Sequence, residues 1–188
     1  MAPTYSEAPK MGSPAPDFNL PGVDGKNYGL KSFADCKALV VVFYCNHCPY
    51  VIAVDDRVNR LAREYLSRGV ALVAINANDA IRYPDDSFEK MKARAHEKNY
   101  VFPYLHDETQ SVARAYGAVC TPDFFAYVHR GAGRFELKYA GRLDDNWKDE
   151  SQVKRRELAE ALDQILVGHD PVTPQNPSMG CSIKWKSS

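Results

Sequence analysis

The stretch Leu39-Val40-Val41-Val42-Phe43-Tyr44-Cys45-Asn46-His47-Cys48-Pro49-Tyr50-Val51 constrains this chain more than any other. Its apolar, mostly β-branched opening reads as a strand buried on both faces, such as occupies the middle of a parallel sheet. Two cysteines with two residues between them follow, then Pro49, then apolar residues at helical spacing: Val51, Val54, Val58, Leu61 and Tyr65. Proline suits the first turn of a helix, where its missing N–H has no partner to lose. Cys45 is therefore expected at a strand end just where a helix begins. The free N–H groups and dipole of a helix N-terminus favour an anion. The sequence thus predicts that Cys45 ionises below the ~8.5 of a free thiol. Cys48, one turn inward, is placed to close a disulfide with it.

Two other uses of such a pair are weighed. Half of a zinc site normally comes with a second cysteine pair or a His pair, but Cys36, Cys120 and Cys181 are single and no His-x3–5-His occurs. A purely structural disulfide fits poorly at a strand–helix junction in a chain whose start, Met1 to Lys10, lacks a basic region and an apolar core. Redox chemistry is the reading the pattern favours, with no metal. The 24 basic and 24 acidic residues balance, which gives no bulk-charge reason to expect nucleic acid or an anionic membrane as partner. No apolar run approaches the ~20 residues of a membrane span. An odd count of five cysteines suggests reduced thiols and a cytoplasmic location. The oligomeric state is not legible.

The 188 residues suffice for one domain with appendages. Residues 1–12, rich in Pro, Ser and Ala, read as a flexible arm. Residues 13–168 form the domain. Within it, Ala15–Leu20 and Asn27–Leu30 flank the turn Gly22–Lys26 as a hairpin, and Lys31–Cys36 is a single helical turn. The strand–helix–strand run to Asn76 is a βαβ unit with a parallel pair. Asp86-Ser-Phe-Glu89 and Asp107-Glu-Thr-Gln110 have the form of capping boxes opening two further helices. Between them, Val101–Leu105 is a short strand made irregular by Pro103. Phe124–Val128 and Phe135–Tyr139 are an antiparallel pair, and Ser151 opens a last helix ending at Gly168. Residues 169–188 are an extended tail. Its end, Cys181-Ser-Ile183-Lys-Trp185, alternates apolar and polar residues as a docked strand would.

This order, with Cys45-Asn46-His47-Cys48-Pro49 and Thr121-Pro122, resembles the thioredoxin superfamily. Ala15-Pro16-Asp17-Phe18 ahead of the core narrows the resemblance to its redoxin branch, which holds the alkyl hydroperoxide reductase/thiol-specific antioxidant family. The resemblance covers roughly residues 13–168. It implies an α/β, thioredoxin-like fold: a central mixed β-sheet flanked by helices, with an N-terminal β-hairpin extension. It also implies a cis bond before Pro122 and a backbone at Thr121 that faces the substrate chain. The chain departs from the pattern in places. Peroxide-reducing relatives carry Pro-x-x-x-Thr-x-x-Cys, where this chain has Val41, Cys45 and Cys48, and an arginine where it has Thr121, Pro122 and Asp123. The acidic residue frequent in the strand before the redox pair is absent from Ala38–Tyr44.

What this implies is a thiol–disulfide oxidoreductase. Cys45 attacks and Cys48 resolves; His47 stabilises the Cys45 thiolate. Tyr44, Asn46, Thr121 and Pro122 form the substrate groove. Cys120 and Cys181 are possible third thiols. Disulfides of proteins or small molecules are the expected substrates, with an upstream thiol reductant and no organic cofactor. A peroxiredoxin-like thiol peroxidase passing through a sulfenic acid and a copper-binding module using soft thiolates are the alternatives.

Overall fold

The computed structural model describes residues 3–7, 9–172 and 174–187. Short strands β1 (Thr4–Tyr5), β2 (Leu20–Pro21) and β3 (Asn27–Tyr28) precede β4 (Ala38–Phe43), α1 (Pro49–Leu66) and β5 (Val70–Asn76). Then come α2 (Phe88–Glu97), β6 (Tyr104–His106), α3 (Ser111–Tyr116), β7 (Cys120–Thr121) and β8 (Asp123–His129). The chain ends in β9 (Phe135–Gly141), α4 (Glu157–Leu166) and β10 (Met179–Ser182). The central sheet has the order β6-β5-β4-β8-β9. The first three of these strands run parallel, and β8 and β9 run antiparallel to their neighbours.

β4 lies in the middle, with all six residues buried. This explains an apolar run without alternation: each face meets its own layer. Val40 and Val42 face Val51, Val54, Val58 and Leu61 of α1 and Leu158, Leu162 and Ile165 of α4. Leu39, Val41 and Phe43 face Val112, Ala113 and Tyr116 of α3, together with Phe18, Leu20, Leu30 and Phe33 of the N-terminal segment. That segment also covers both sheet edges, which would otherwise expose unpaired backbone. Residues 12–15 hydrogen-bond along β9 through Gly12 N to Leu137 O and Ala15 N to Phe135 O. The β2–β3 hairpin meets β6 through the Gly22–Leu105 bridge.

Several local expectations change. The arm is not loose where it is described: Thr4 and Tyr5 pair with Gly180 and Met179 of β10. Met1, Ala2 and Ala8 of that arm lie outside the described residues, as do Thr173 and Ser188 of the tail. Of the stretch Ala15–Leu20 only Leu20 pairs as a strand, with Pro21 after it. The last helix begins at Glu157, after a separate 3-10 turn at Glu150–Gln152. Neither Asp86 nor Asp107 heads a capping box. The residues at the helix starts are Ser87 and Gln110, and the two aspartates are buried and bonded elsewhere.

The tail returns across the molecule. β10 pairs antiparallel with β7, setting Cys181 against Thr121 and Ser182 against Cys120. With β1 on its other edge it forms the centre of a three-stranded sheet. Beyond it, Ile183 is buried and its N–H reaches Val119 O. Lys184 N–H reaches Asn78 Oδ1 at 2.8 Å, and Gln110 accepts Lys186 N–H at 2.8 Å. The Arg114 guanidinium lies over the Trp185 ring at 4.4 Å.

Candidate functional site

Cys45 and Cys48 lie on the link from β4 to α1, and both are fully buried. The helix begins at Pro49, so Cys48 is its N-cap residue. The second thiol, rather than the first, meets the helix start, which corrects the expectation for Cys45. The loop before β8 closes over the pair. Its Thr121–Pro122 peptide bond is cis, and Thr121 touches both sulfurs: Oγ1 is 3.1 Å from Cys45 Sγ, and its carbonyl oxygen is 3.3 Å from Cys48 Sγ.

The two thiols have opposite acidities. Cys48 is pushed down to about 5, first by the hydrogen bond its sulfur takes from the Cys45 thiol. Burial opposes this, while the Cys181 thiol and the N–H groups of Val51 and Cys181 add to it. Cys45 is pushed well up, first by burial, then by the bond it gives to Cys48 and by the negative charge of Asp86. The two acidities are coupled, since each is set in part by the contact with the other sulfur.

Asp86 is the residue the sequence reading missed. Its buried carboxylate accepts four hydrogen bonds: from Asn46 N–H at 2.6 Å, His47 Nδ1 at 2.7 Å, Asn78 Nδ2 at 2.7 Å and Asn76 Nδ2 at 3.3 Å. A carboxylate only accepts, so the His47 Nδ1 donates to Asp86. Tyr83 stacks on the ring at 5.5 Å. His47 is thus held as part of a His–Asp unit, whose carboxylate charge acts on Cys45 against ionisation. The polar run Asn76-Ala-Asn78-Asp79 at the end of a buried strand was the available signal for such a network.

The expected groove is arranged differently. Tyr44 is fully buried, and its hydroxyl donates to Asp55 Oδ1 at 2.8 Å, a carboxylate shared with Tyr100 and Arg94. It belongs to the core and does not line a groove. Asn46 spends its side chain on Asp85 O and on the Tyr104 hydroxyl. Thr121 and Pro122 do flank the thiols, but both are buried, with β10 laid along Thr121. Cys120 is buried and its thiol pushed well up by desolvation. Cys181 is half-buried and packs against the core cluster that holds Cys45 and Cys48. Of the five cysteines, Cys36 alone lies apart, packed against the opposite core layer.

Cys45, His47 and Asp86 present ligand-type atoms within 4.8 Å of one another. Their fit to a metal is poor, because Asp86 is already committed to four donors and one ring nitrogen of His47 is bound to it.

The model of the AhpC/TSA family matches residues 11–137. An uncharacterized conserved protein from Geobacillus kaustophilus, of known structure, is 43% identical with a TM-score of 0.92, over all of this chain and 98% of that one. The thiol:disulfide interchange protein DsbE of Pasteurella multocida (strain Pm70) is 26% identical over 160 residues, 84% of this chain and 82% of that protein. A putative thioredoxin from Neisseria meningitidis, 18% identical, superposes with a TM-score of 0.61 over 82% of this chain and 90% of its own. The fold is thioredoxin-like.

Proposed function

The chain belongs to the AhpC/TSA family, and we infer from its site that it is a thiol–disulfide oxidoreductase whose working pair is Cys45 and Cys48. One observation carries the reading. Two buried cysteines on the β4–α1 link lie against the cis Thr121–Pro122 loop, whose Thr121 touches both sulfurs, and their environments drive the two acidities apart. That is the arrangement a dithiol needs. The Cys48 thiolate attacks a disulfide sulfur, forming a mixed disulfide and expelling a substrate thiolate. The Cys45 thiol then loses its proton and attacks the Cys48 sulfur, closing the Cys45–Cys48 bond and releasing the second substrate thiol. A ring nitrogen of His47 lies within 4.8 Å of the Cys45 sulfur, beside that proton. Run backwards, the same steps oxidise a dithiol.

The substrates are disulfides of proteins or small molecules, and a thiol reductant restores the pair. The odd number of cysteines supports a reducing compartment, the cytoplasm. The test is a set of assays on one preparation: reduction of insulin and of a low-mass disulfide, and consumption of peroxide with a thiol donor. Disulfide reduction that disappears in both Cys45→Ser and Cys48→Ser is the expected result. Peroxide consumption without disulfide reduction overturns it in favour of a thiol peroxidase.

A further inference from the structure

The working pair is sealed. Cys45 and Cys48 have no exposed surface, and what covers them is the chain's own tail. β10 lies on β7 so closely that a Cβ at residue 180 would sit 1.9 Å from the Thr121 carbonyl oxygen, and only glycine fits there. The next residue is a cysteine in register with Thr121, whose carbonyl and hydroxyl oxygens touch the two sulfurs of the pair. Cys181 packs against the core cluster that contains Cys45 and Cys48 and reaches the surface, which neither member of the pair does. Two buried thiols, Cys45 and Cys48, thus have a third, partly exposed one, Cys181, packed on the strand that covers Thr121. The tail carrying the third is held on both sides of it. Ser178 bonds Ser6, Gly141 and Phe124 before β10, and Lys184 and Lys186 bond Asn78 and Gln110 after it.

We propose that Cys181 is a third redox thiol, through which the buried pair exchanges electrons with a low-mass thiol or disulfide outside. The proposal rests on the oxidoreductase reading above. Its internal step is an isomerisation. In the oxidised pair, Cys181 gives up its proton and attacks the Cys48 sulfur. The Cys48–Cys181 bond forms, the Cys45–Cys48 bond breaks, and Cys45 leaves as a thiolate that takes up the proton. No electrons enter or leave. An external thiol then attacks the Cys181 sulfur, expelling Cys48 as its stabilised thiolate and leaving a mixed disulfide on Cys181. A second external thiol releases Cys181 and departs in an external disulfide. The partner is of low mass because β10 is the middle strand of its sheet. That strand already pairs with β1 at Met179 and Gly180 and with β7 at Cys181 and Ser182, which leaves little of its own backbone for a peptide strand to pair with.

The test uses the full chain with glutathione disulfide as probe. Wild type, Cys45→Ser, Cys181→Ser and Cys181→Ala are oxidised with one equivalent, quenched in acid and mapped by peptide. Turnover of the same probe is followed with a thiol donor. The expected results are a Cys48–Cys181 disulfide in Cys45→Ser and an intact Cys45–Cys48 disulfide in both Cys181 variants. Turnover in those two variants should be slower by about tenfold or more, since the probe must then wait for β10 to open. Unchanged turnover in Cys181→Ser and Cys181→Ala, or no Cys48–Cys181 bond in Cys45→Ser, overturns the relay and leaves the oxidoreductase reading standing. Wild-type protein that forms no intramolecular disulfide and turns nothing over overturns both.

Discussion

Replacing Asp123 by Asn should convert a pH-dependent stability into a flatter one. Asp123 is the first residue of β8, next to the cis proline, and is 1% exposed. Neither carboxylate oxygen has a hydrogen-bond partner. Of the two hydroxyls that act on it, Ser178 and Ser6, Ser178 gives its proton to Gly141 O at 2.6 Å and accepts from Phe124 N–H. Burial without partners disfavours the charged form and pushes this carboxyl up to about 7 from the ordinary 3.8. The native state therefore keeps a proton that the unfolded chain has released. The Asp123 contribution to stability is greatest below about pH 4 and falls as pH rises through the window from about 4 to about 7. The interval is roughly 3 pH units at about 1.4 kcal/mol each, hence a ceiling of about 4 kcal/mol. Asn has nearly the same shape and no charge to confine. Its amide adds an offset that does not vary with pH. Urea unfolding of both proteins under reducing conditions, from pH 4 to pH 8, reads the difference directly. The variant should gain on wild type steadily across that range, by up to about 4 kcal/mol. A difference that stays constant with pH refutes the picture of a buried, neutral carboxyl.

Three further outcomes follow from the site. Gly180→Ala should lift β10 from Thr121, lower the melting temperature by the equivalent of about 1–3 kcal/mol, and speed alkylation of Cys48; unaltered protection of Cys48 would show that the tail does not shield it. Ultraviolet titration of the reduced protein should reveal a thiolate with a midpoint near 5 that vanishes in Cys48→Ser and moves upward in Cys45→Ser. A low-pH thiolate that persists in Cys48→Ser would assign it to Cys45. Asp86→Asn removes the charge that holds the Cys45 proton, so in a Cys48→Ser background the pH midpoint for Cys45 alkylation should fall, and a rise would reverse the assigned role.

The core of the fold was legible because its signals are local. A strand buried on both faces must be apolar throughout, and a helix packed on one side repeats its apolar residues every three or four positions. β4, α1 and β5 carry those marks within forty residues. The helix start was legible one residue more finely than it was read: proline prefers the first helical position, which already makes Cys48 the N-cap residue. Asp86 was hidden for another reason. Its partners Asn46 and His47 lie about forty residues away, and locally it imitates the first residue of a capping box. The described arm was illegible because its two-residue strand exists only by pairing with β10, at the far end of the chain. A segment with no amphipathic period of its own announces nothing about a partner that distant.

Acidity and position together explain why the three sulfurs are ordered as they are. In thiol–disulfide exchange the better leaving group is the sulfur of lower pKa. Cys48 is pushed down to about 5, Cys181 is pushed up to about 11, chiefly by burial, and Cys45 is raised as well. A Cys45–Cys48 bond and a Cys48–Cys181 bond share this leaving group: attack on Cys45 or on Cys181 expels the Cys48 thiolate. Direction is then decided by reach. Only Cys181 has surface to meet an outside thiol, and only Cys45 has the His47–Asp86 unit beside it. Asn78 joins the two ends, since it donates to Asp86 through Nδ2 and accepts the Lys184 N–H of the tail through Oδ1. Any movement of β10 away from Thr121 therefore pulls on the side chain that helps hold the carboxylate next to Cys45. The tail and the innermost thiol are linked through one amide, so opening the cover also disturbs the group that keeps Cys45 protonated.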